Sequence, residues 1–381
     1  MDLKYSEGKR KISVLVISHT NKKAKPRHEF FIEELANSQR LRVKSIDFFE
    51  VSSYISVLLG LRHLFRAGRF QPDVIIGISH WGGFIGGLLA KLLNRPLIVM
   101  LDDFLIGYPG FRAKRWAIYL LERFAVSDSE LTIFATEIDR RTMSPIYSLN
   151  PKKTAVLTHG VGKQLAQARK ERMKSDLDKS QKTRTRVGYI GTLDDSDRQF
   201  EELCEVIPLL ADHLVQLVIA GDGKWKNKFE KLQQKYGTDF VEVLGFIADR
   251  KKLTKVVLSL DFQIVPYKSR PYKFRGKTMI YLPGLTLKVI ESLALGVPLI
   301  LPNYKDYQEQ YGEISAFYQS CNVISLRDTL VKCTGNEFVR LSERIKGSKI
   351  ANNIQTWEEK AIILTNLIEK TQKAHILERS Q

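Results

Sequence analysis

Apolar and polar positions alternate along this chain in a repeating order of short apolar runs and amphipathic stretches. Ile12 to Ile17 is a continuous apolar run, the pattern of a parallel strand covered on both faces. A polar loop from Ser18 to Arg27 follows, then a helix from about His28 to Asn37. Further strands are predicted at Val43–Phe48, Asp73–Ile78, Pro96–Leu101, Leu131–Ala135 and Thr154–Leu157. A Gly-rich turn, His80-Trp81-Gly82-Gly83, reads as opening the helix after the third strand. Lys163 to Thr185 is polar and charged without a strand pattern, and reads as a helix or linker between halves.

The pattern then restarts. Arg186–Ile190 is predicted as a strand ending in the turn Gly191-Thr192, with one helix carrying Phe200, Leu203, Ile207, Leu210 and Leu214. Strands at Gln216–Ala220, Phe240–Leu244 and Asp261–Pro266 follow, the first of them ending in Gly221-Asp222-Gly223. Tyr281 to Thr286 reads as a loop broken by Pro283 and Gly284, and Leu287 to Leu295 as a helix. Gly296 ends that helix, Pro298 cannot continue it, and Val297–Leu301 resumes as a strand. A last helix is predicted from Trp357 to about Lys370, opened by the capping box of Thr356 with Glu359.

Strands alternating with helices argue for doubly wound parallel sheets, one in each half. The predicted organisation is α/β throughout, with two Rossmann-like domains facing an inter-domain cleft. Their expected spans are 1–165 and 186–350, with a C-terminal helix at 351–381 crossing back toward the first. Ligands of such sheets lie past the carboxyl ends of the strands. That singles out His19, His80, Asp102, Asp103 and His159 in the first half.

Size and charge narrow the picture further. A chain of 381 residues with 44% hydrophobic content suits two cored domains. Cys204, Cys321 and Cys333 have no paired or metal-binding spacing, as expected of a reducing compartment. The N-terminal run is short and strand-like, so no signal peptide is expected, and no apolar run approaches the ~20 residues of a membrane span. A net charge of +18 demands an anionic partner: nucleic acid, an anionic bilayer or a phosphorylated substrate.

The chemistry centres on residues 281–300. A loop feeding a helix presents free backbone N–H groups, here those of Thr286 and Leu287, and the positive end of a dipole; both favour a phosphate. Lys288 adds a full charge in the first turn, and Glu291, a turn on, can accept hydroxyl donors beside that phosphate. Together these describe a nucleotide-diphosphate sugar, although an ordinary loop–helix–strand unit with surface charges has the same pattern. Asp102-Asp103 follows an apolar strand, where a carboxylate can act as a general base or simply cap a helix.

Gly188 to Thr192, Ala220 to Gly223, Val265-Pro266-Tyr267 and Lys288 to Pro298 together resemble the nucleotide domain of GT-B glycosyltransferases of group 1. Ser18-His19 with Pro26-Arg27, Leu97 to Leu105, His159-Gly160-Val161, Pro266-Tyr267, and Tyr281-Leu282 ahead of Lys288 resemble a narrower family. That family includes the membrane-associated, inverting glucuronosyltransferase of xanthan assembly. The resemblance implies a UDP-sugar donor, with glucuronic acid as its sugar, and no cofactor. It implies Asp103 as the catalytic base, with Asp102 as the fallback. It implies donor contacts from Lys288, Glu291, Tyr281, Thr286, Leu287, Gly191, Thr192, Gly221 and Tyr267, with His19 and Arg27 on the acceptor side. Many retaining relatives carry a glutamate eight residues before Glu291, where this chain has Pro283, and this weakens a retaining mechanism. The Arg and Lys that such relatives carry after the Gly191 loop have no clear match in Leu193 to Arg198. Asp195-Ser196-Asp197 spells a metal motif of another fold and reads here as helix-start acids; no metal is expected.

Two basic amphipathic segments, Ile55–Phe70 and Phe111–Phe124, suit an anionic membrane surface or a core-facing helix with a solvated basic face. The mixture of aromatics and cations from Tyr267 to Lys277 could bind single-stranded nucleic acid. Beside a diphosphate site, an anionic donor or lipid pyrophosphate is the simpler partner. The sequence thus predicts transfer of a sugar to a lipid-linked glycan at the cytoplasmic membrane face. The alternatives are a retaining GT-B enzyme of polysaccharide synthesis and a non-catalytic nucleic-acid-binding protein.

Overall fold

The computed structural model describes residues 10–18, 26–47, 69–102, 106, 112–165, 167–168, 184–194, 198–275, 277–284 and 287–380. Two compact units form: residues 1–159 with 357–381, and residues 160–356.

The first unit is built on a six-stranded sheet in the order β2-β1-β3-β4-β5-β6, every neighbouring pair parallel. The strands are β1 (Ile12–Ser18), β2 (Leu41–Asp47), β3 (Val74–Ile78), β4 (Leu97–Leu101), β5 (Leu131–Phe134) and β6 (Thr154–Val156). β3 and β4 are buried along their whole length, which explains their unbroken apolar sequence. Helices α1 (Pro26–Ala36), α2 (Ser79–Leu93), α3 (Arg112–Ser127) and α4 (Glu137–Tyr147) connect them. Residues 80–83, expected to form a turn ahead of a helix, are instead part of the first turns of α2. The glycines serve close packing. A Cβ on Gly82 would stand 2.4 Å from the carbonyl oxygen of Ile17, and one on Gly77 would stand 2.6 Å from that of Gly82. Helix and sheet touch backbone to backbone here.

The second unit has a six-stranded parallel sheet in the order β14-β13-β10-β7-β8-β9. Its strands are β7 (Thr185–Ile190), β8 (Val215–Ala220), β9 (Val241–Gly245), β10 (Phe262–Ile264), β13 (Leu299–Pro302) and β14 (Ser315–Tyr318). The order in which strands are added reverses between β7 and β10, all of them remaining parallel, so the topological switch point lies there. The helix expected from Phe200 to Leu214 is shorter. α5 (Phe200–Val206) gives way to a 3-10 turn, Ile207–Leu210, because Pro208 supplies no N–H to an α-helical ladder. Helices α6 (Lys226–Tyr236), α7 (Arg250–Ser259), α8 (Leu287–Ala294), α9 (Lys305–Tyr311), α10 (Val323–Lys332), α11 (Asn336–Gly347) and α12 (Lys349–Asn352) complete the unit.

Between β10 and α8 the chain makes an antiparallel hairpin, β11 (Arg270–Phe274) with β12 (Lys277–Tyr281). The basic aromatic stretch from Tyr267 is therefore largely sheet, and Tyr281 ends a strand rather than starting a loop. Gly296, with φ 72°, ends α8 as expected.

The last helix, α13 (Trp357–Ser380), returns to the first unit and runs past its expected end. Trp357 stacks on Phe30 of α1 at 5.4 Å and meets Phe31 edge-on at 5.1 Å. Arg40 anchors the middle of the helix by an ion pair with Glu369 and a 3.0 Å bond to Asn366 Oδ1.

Candidate functional site

The site in the second unit forms where β7 and β10 end, flanking the switch point. Gly191 follows β7; its N–H donates to the Ala220 carbonyl at 2.9 Å, and the Gly221 N–H donates to Gly245 O at 2.8 Å. A Cβ on Gly221 would fall 1.7 Å from the carbonyl oxygen of Gly191. The two glycines thus let the strand-end loops approach each other. Tyr189 Oη donates to the Thr192 carbonyl at 2.7 Å and fixes that exposed residue's backbone.

Past β10, Tyr267 is buried and forms an antiparallel bridge with Arg198. The Gln199 N–H donates to Pro266 O at 2.8 Å, and the Arg198 guanidinium sits 5.5 Å from the Tyr267 ring centroid. The loop after Gly191 is thereby laced to the end of β10.

α8 is anchored by Val289, Leu293 and Ala294 in the core, and by a 2.9 Å bond from Ser292 Oγ to Gln263 Oε1 of β10. This holds Lys288 and Glu291 at the partly exposed side. Burial pushes the Lys288 ammonium down to about 8, the Arg198 and Arg250 charges push the same way, and Glu291 opposes them. Burial raises the Glu291 carboxyl, while Arg250 and Lys288 oppose that rise. Arg250 Nη1 contacts Glu291 Oε1 at 3.0 Å, with Glu291 only 12% exposed. Arg250 is placed at the start of α7, whose N-cap Asp249 accepts from the Lys251 and Lys252 N–H groups.

Arg198, Arg250 and the carboxylate of Glu291 thus all act on Lys288, giving three cations and one acid in one neighbourhood. A dianionic group would neutralise the remaining charge, and the cost of crowding cations would turn into attraction. Arg198, the last residue of the stretch Leu193–Arg198, is the cation that reaches Lys288 from this side. Arg250 was not anticipated at all. Both reach Lys288 from positions distant in sequence, Arg198 from the bridge to Tyr267 and Arg250 from the first residue of α7.

Tyr281 is buried at the end of β12, opposite Arg270. Pro283 O accepts from Tyr307 Oη at 2.6 Å, so the residue eight before Glu291 is held by its backbone. Leu287 starts α8; Thr286 and residues 195–197 lie outside the described residues. In the first unit, Asp102 directly follows β4, half-buried, at the sheet's carboxyl edge. Asp103 and His19 lie outside the described residues, and Arg27 is placed only by the backbone of α1. His80 lies in the first turn of α2, and the His159 ring stands 6.4 Å from Trp357. Among the described residues there is no group of three or more His, Cys, Asp or Glu that could hold a metal ion.

Two family models cover most of the chain. Residues 184–332 match "Glycosyl transferases group 1", and residues 9–160 match "Glycosyl transferase 4-like domain". The pair of doubly wound sheets is the GT-B arrangement of glycosyltransferase units. The chain belongs to the group 1 glycosyltransferases. Solved structures share the fold at low identity. HepE of Anabaena, crystallised with UDP, is 14% identical with a TM-score of 0.67, over 94% of this chain and 100% of that one. The sucrose-phosphate synthase of Thermosynechococcus elongatus is 16% identical with a TM-score of 0.69, over 96% and 100%. WaaG, a glycosyltransferase involved in lipopolysaccharide biosynthesis, is 14% identical with a TM-score of 0.64, over 94% and 99%. No curated protein matches the chain significantly in sequence.

Proposed function

We propose that this glycosyltransferase takes a sugar from a UDP-linked donor and transfers it, with inversion, to a lipid-linked glycan at the cytoplasmic membrane face. The observation that carries the donor assignment is the gathering of Arg198, Arg250 and Glu291 around Lys288 beside the switch point. In this reading the cations and the Leu287 N–H hold the diphosphate, Glu291 receives the ribose hydroxyls, and Gly191, Thr192 and Gly221 give the nucleotide a close backbone. Tyr281 and Tyr267 shape the wall of the sugar subsite. UDP complexes of the similarly folded HepE support the choice of nucleotide. A glucuronate sugar would place a further carboxylate among the cations, and we propose it as the donor's sugar.

Asp103 is assigned the base that deprotonates the acceptor hydroxyl as it attacks the anomeric carbon and UDP leaves. Asp102 stands in reserve at the same strand end, with His19 and Arg27 on the acceptor side. The membrane assignment draws on α3, where Trp116 and Leu120 are 44% and 59% exposed beside exposed Lys114. No helix among the described residues is long and apolar enough to cross a membrane. The similarly folded WaaG is involved in lipopolysaccharide biosynthesis, and WaaB is a lipopolysaccharide outer core galactosyltransferase; an acceptor of lipid-linked type is proposed here by analogy with them.

The test is transfer and hydrolysis by purified protein against a panel of nucleotide sugars, with product anomers read by NMR. The expected result is turnover of a UDP-sugar with an inverted product. Asp103→Asn should abolish transfer and leave UDP binding intact; full activity in that variant removes the base assignment, and a retained anomer removes inversion.

A further inference from the structure

A second basic site lies at the opposite edge of the first sheet. The amino ends of β1, β2 and β3 enclose a cleft of about 410 Å³ lined by Arg10, Lys11, Arg42, Arg69 and Phe70 among others. β1 is seven residues long, so at about 3.3 Å per residue the cleft is roughly 20 Å from the strand's carboxyl end. It is therefore remote from Asp102, which follows the carboxyl end of β4.

The cleft is assembled by ordinary backbone pairing. Ser13 and Arg42 are register partners on β1 and β2, which puts Arg42 beside the start of β1. Gln71, with φ 48°, makes the turn after Phe70. Arg42 Nη2 donates to the Phe70 carbonyl at 3.1 Å, and its guanidinium lies 4.7 Å from the Phe70 ring centroid. Lys44, two residues along β2, brings its ammonium within 5.6 Å of the same ring. The aromatic ring thus holds two cations close together. Asp73 is nearby but already engaged: it accepts from the Ser13 N–H at 2.8 Å and stands 3.7 Å from Arg10. Among the described residues, no acidic side chain lines the cleft.

Like charges gathered around a concave surface repel one another in the empty protein, and an anion relieves that repulsion. Lys11, Arg42 and Arg69 bring three positive charges beside the Arg10–Asp73 pair, more than a single phosphate group balances. Arg42 presents a planar fork suited to phosphate oxygens, and Lys11 and Arg69 supply mobile charge at the rim. We infer that this cleft binds a ligand bearing two or more phosphate groups, independently of the nucleotide site of the second unit.

Such phosphates can come from a soluble polyphosphate or from lipid headgroups at a bilayer surface, and one experiment separates them. Inorganic pyrophosphate is titrated by calorimetry into the Lys288→Ala protein, so that the cluster on α8 does not compete. Binding is expected, and Lys11→Gln with Arg69→Gln, both at exposed positions, should weaken it about 25-fold at low salt, about fivefold per cation. Arg42→Gln is the second variant and should weaken it at least as much. Vesicles of phosphatidylcholine with and without phosphatidylglycerol are then sedimented with wild type and variants. Vesicle binding that falls in the variants and is competed by pyrophosphate assigns the site to headgroups; pyrophosphate binding without it assigns the site to a soluble ligand. Absence of pyrophosphate binding, or binding indifferent to all three substitutions, overturns the proposal.

Discussion

At the scale of single residues, Lys288 is the side chain whose protonation the site controls. Its folded value is lowered to about 8 by burial first and by the Arg198 and Arg250 charges next. A lowered lysine loses its proton as pH rises through that value, so the free site loses a cation there. UDP affinity is expected to hold steady below this value and to weaken above it, by up to about tenfold per pH unit. Lys288→Arg should remove the dependence, since guanidinium stays charged throughout. Calorimetric titrations across the range check this, and a wild-type affinity that is flat through pH 9, about one unit above the transition, refutes it. Lys288 and Glu291 were legible in the sequence because they sit a turn apart on one helix. Arg198 and Arg250 were not, because their proximity depends on a β-bridge to Tyr267 and on the start of another helix. Sequence spacing carries no record of such meetings.

At the scale of elements, the buried acid of α5 sets a second pH dependence. Glu202 is 7% exposed beneath the backbone N–H groups of Cys321 and Asn322. Burial raises its carboxyl to about 7, with those N–H groups opposing and nearby Glu205 adding to the rise. The folded protein therefore holds this proton more tightly than the unfolded chain. Stability from this group is greatest below about pH 4.5 and declines as pH rises to about 7. Glu202→Gln should flatten that decline and be more stable than wild type at alkaline pH, by on the order of 2 kcal/mol. Denaturant melts of both proteins at acid and alkaline pH measure it; parallel curves would count against a buried proton. Contacts of this kind also explain which elements were misread. The glycines of α2 looked like a turn, whereas they allow the helix to touch Ile17 and Ser18 of β1. Gly82→Ala should cost about 1–3 kcal/mol by overpacking, despite alanine's better helix propensity. A thermal midpoint equal to or above that of wild type would contradict this. The hairpin β11–β12 carried a strand signal, buried Tyr272 and Phe274 alternating with exposed Lys273, but the five cations between Tyr267 and Lys277 drew the reading to charge instead.

At the scale of the whole molecule, two periodic halves and the strand-end glycines were enough to reveal the architecture. The apolar runs of β1, β3, β4, β7 and β8 are buried because helices cover both faces of each sheet. Strand β14 escaped notice because Ser315 interrupts its short apolar run between Ile314 and Ala316. The excess of 60 Lys and Arg over 42 Asp and Glu belongs to this scale too, since it acts on any anionic surface within a Debye length, about 10 Å at 0.1 M salt. Charge alone brings a protein to a bilayer, while apolar side chains entering the interface resist its removal by salt. On α3, Trp116 and Leu120 lie one turn apart and exposed, with Lys114 alongside, and Leu88 and Leu92 on α2 are 43% and 77% exposed. If this surface inserts, Trp116→Ser with Leu120→Ser should lower the fraction sedimenting with phosphatidylglycerol vesicles by about tenfold or more, from roughly 1 kcal/mol of apolar contact at each position. Hydrolysis of a soluble donor should be unaffected, because neither residue belongs to the donor cluster. The residual binding should then be lost at high salt, whereas wild type should retain part of it. Equal sedimentation of wild type and the double variant at every salt concentration would mean that charge alone accounts for the association and that α3 does not enter the lipid.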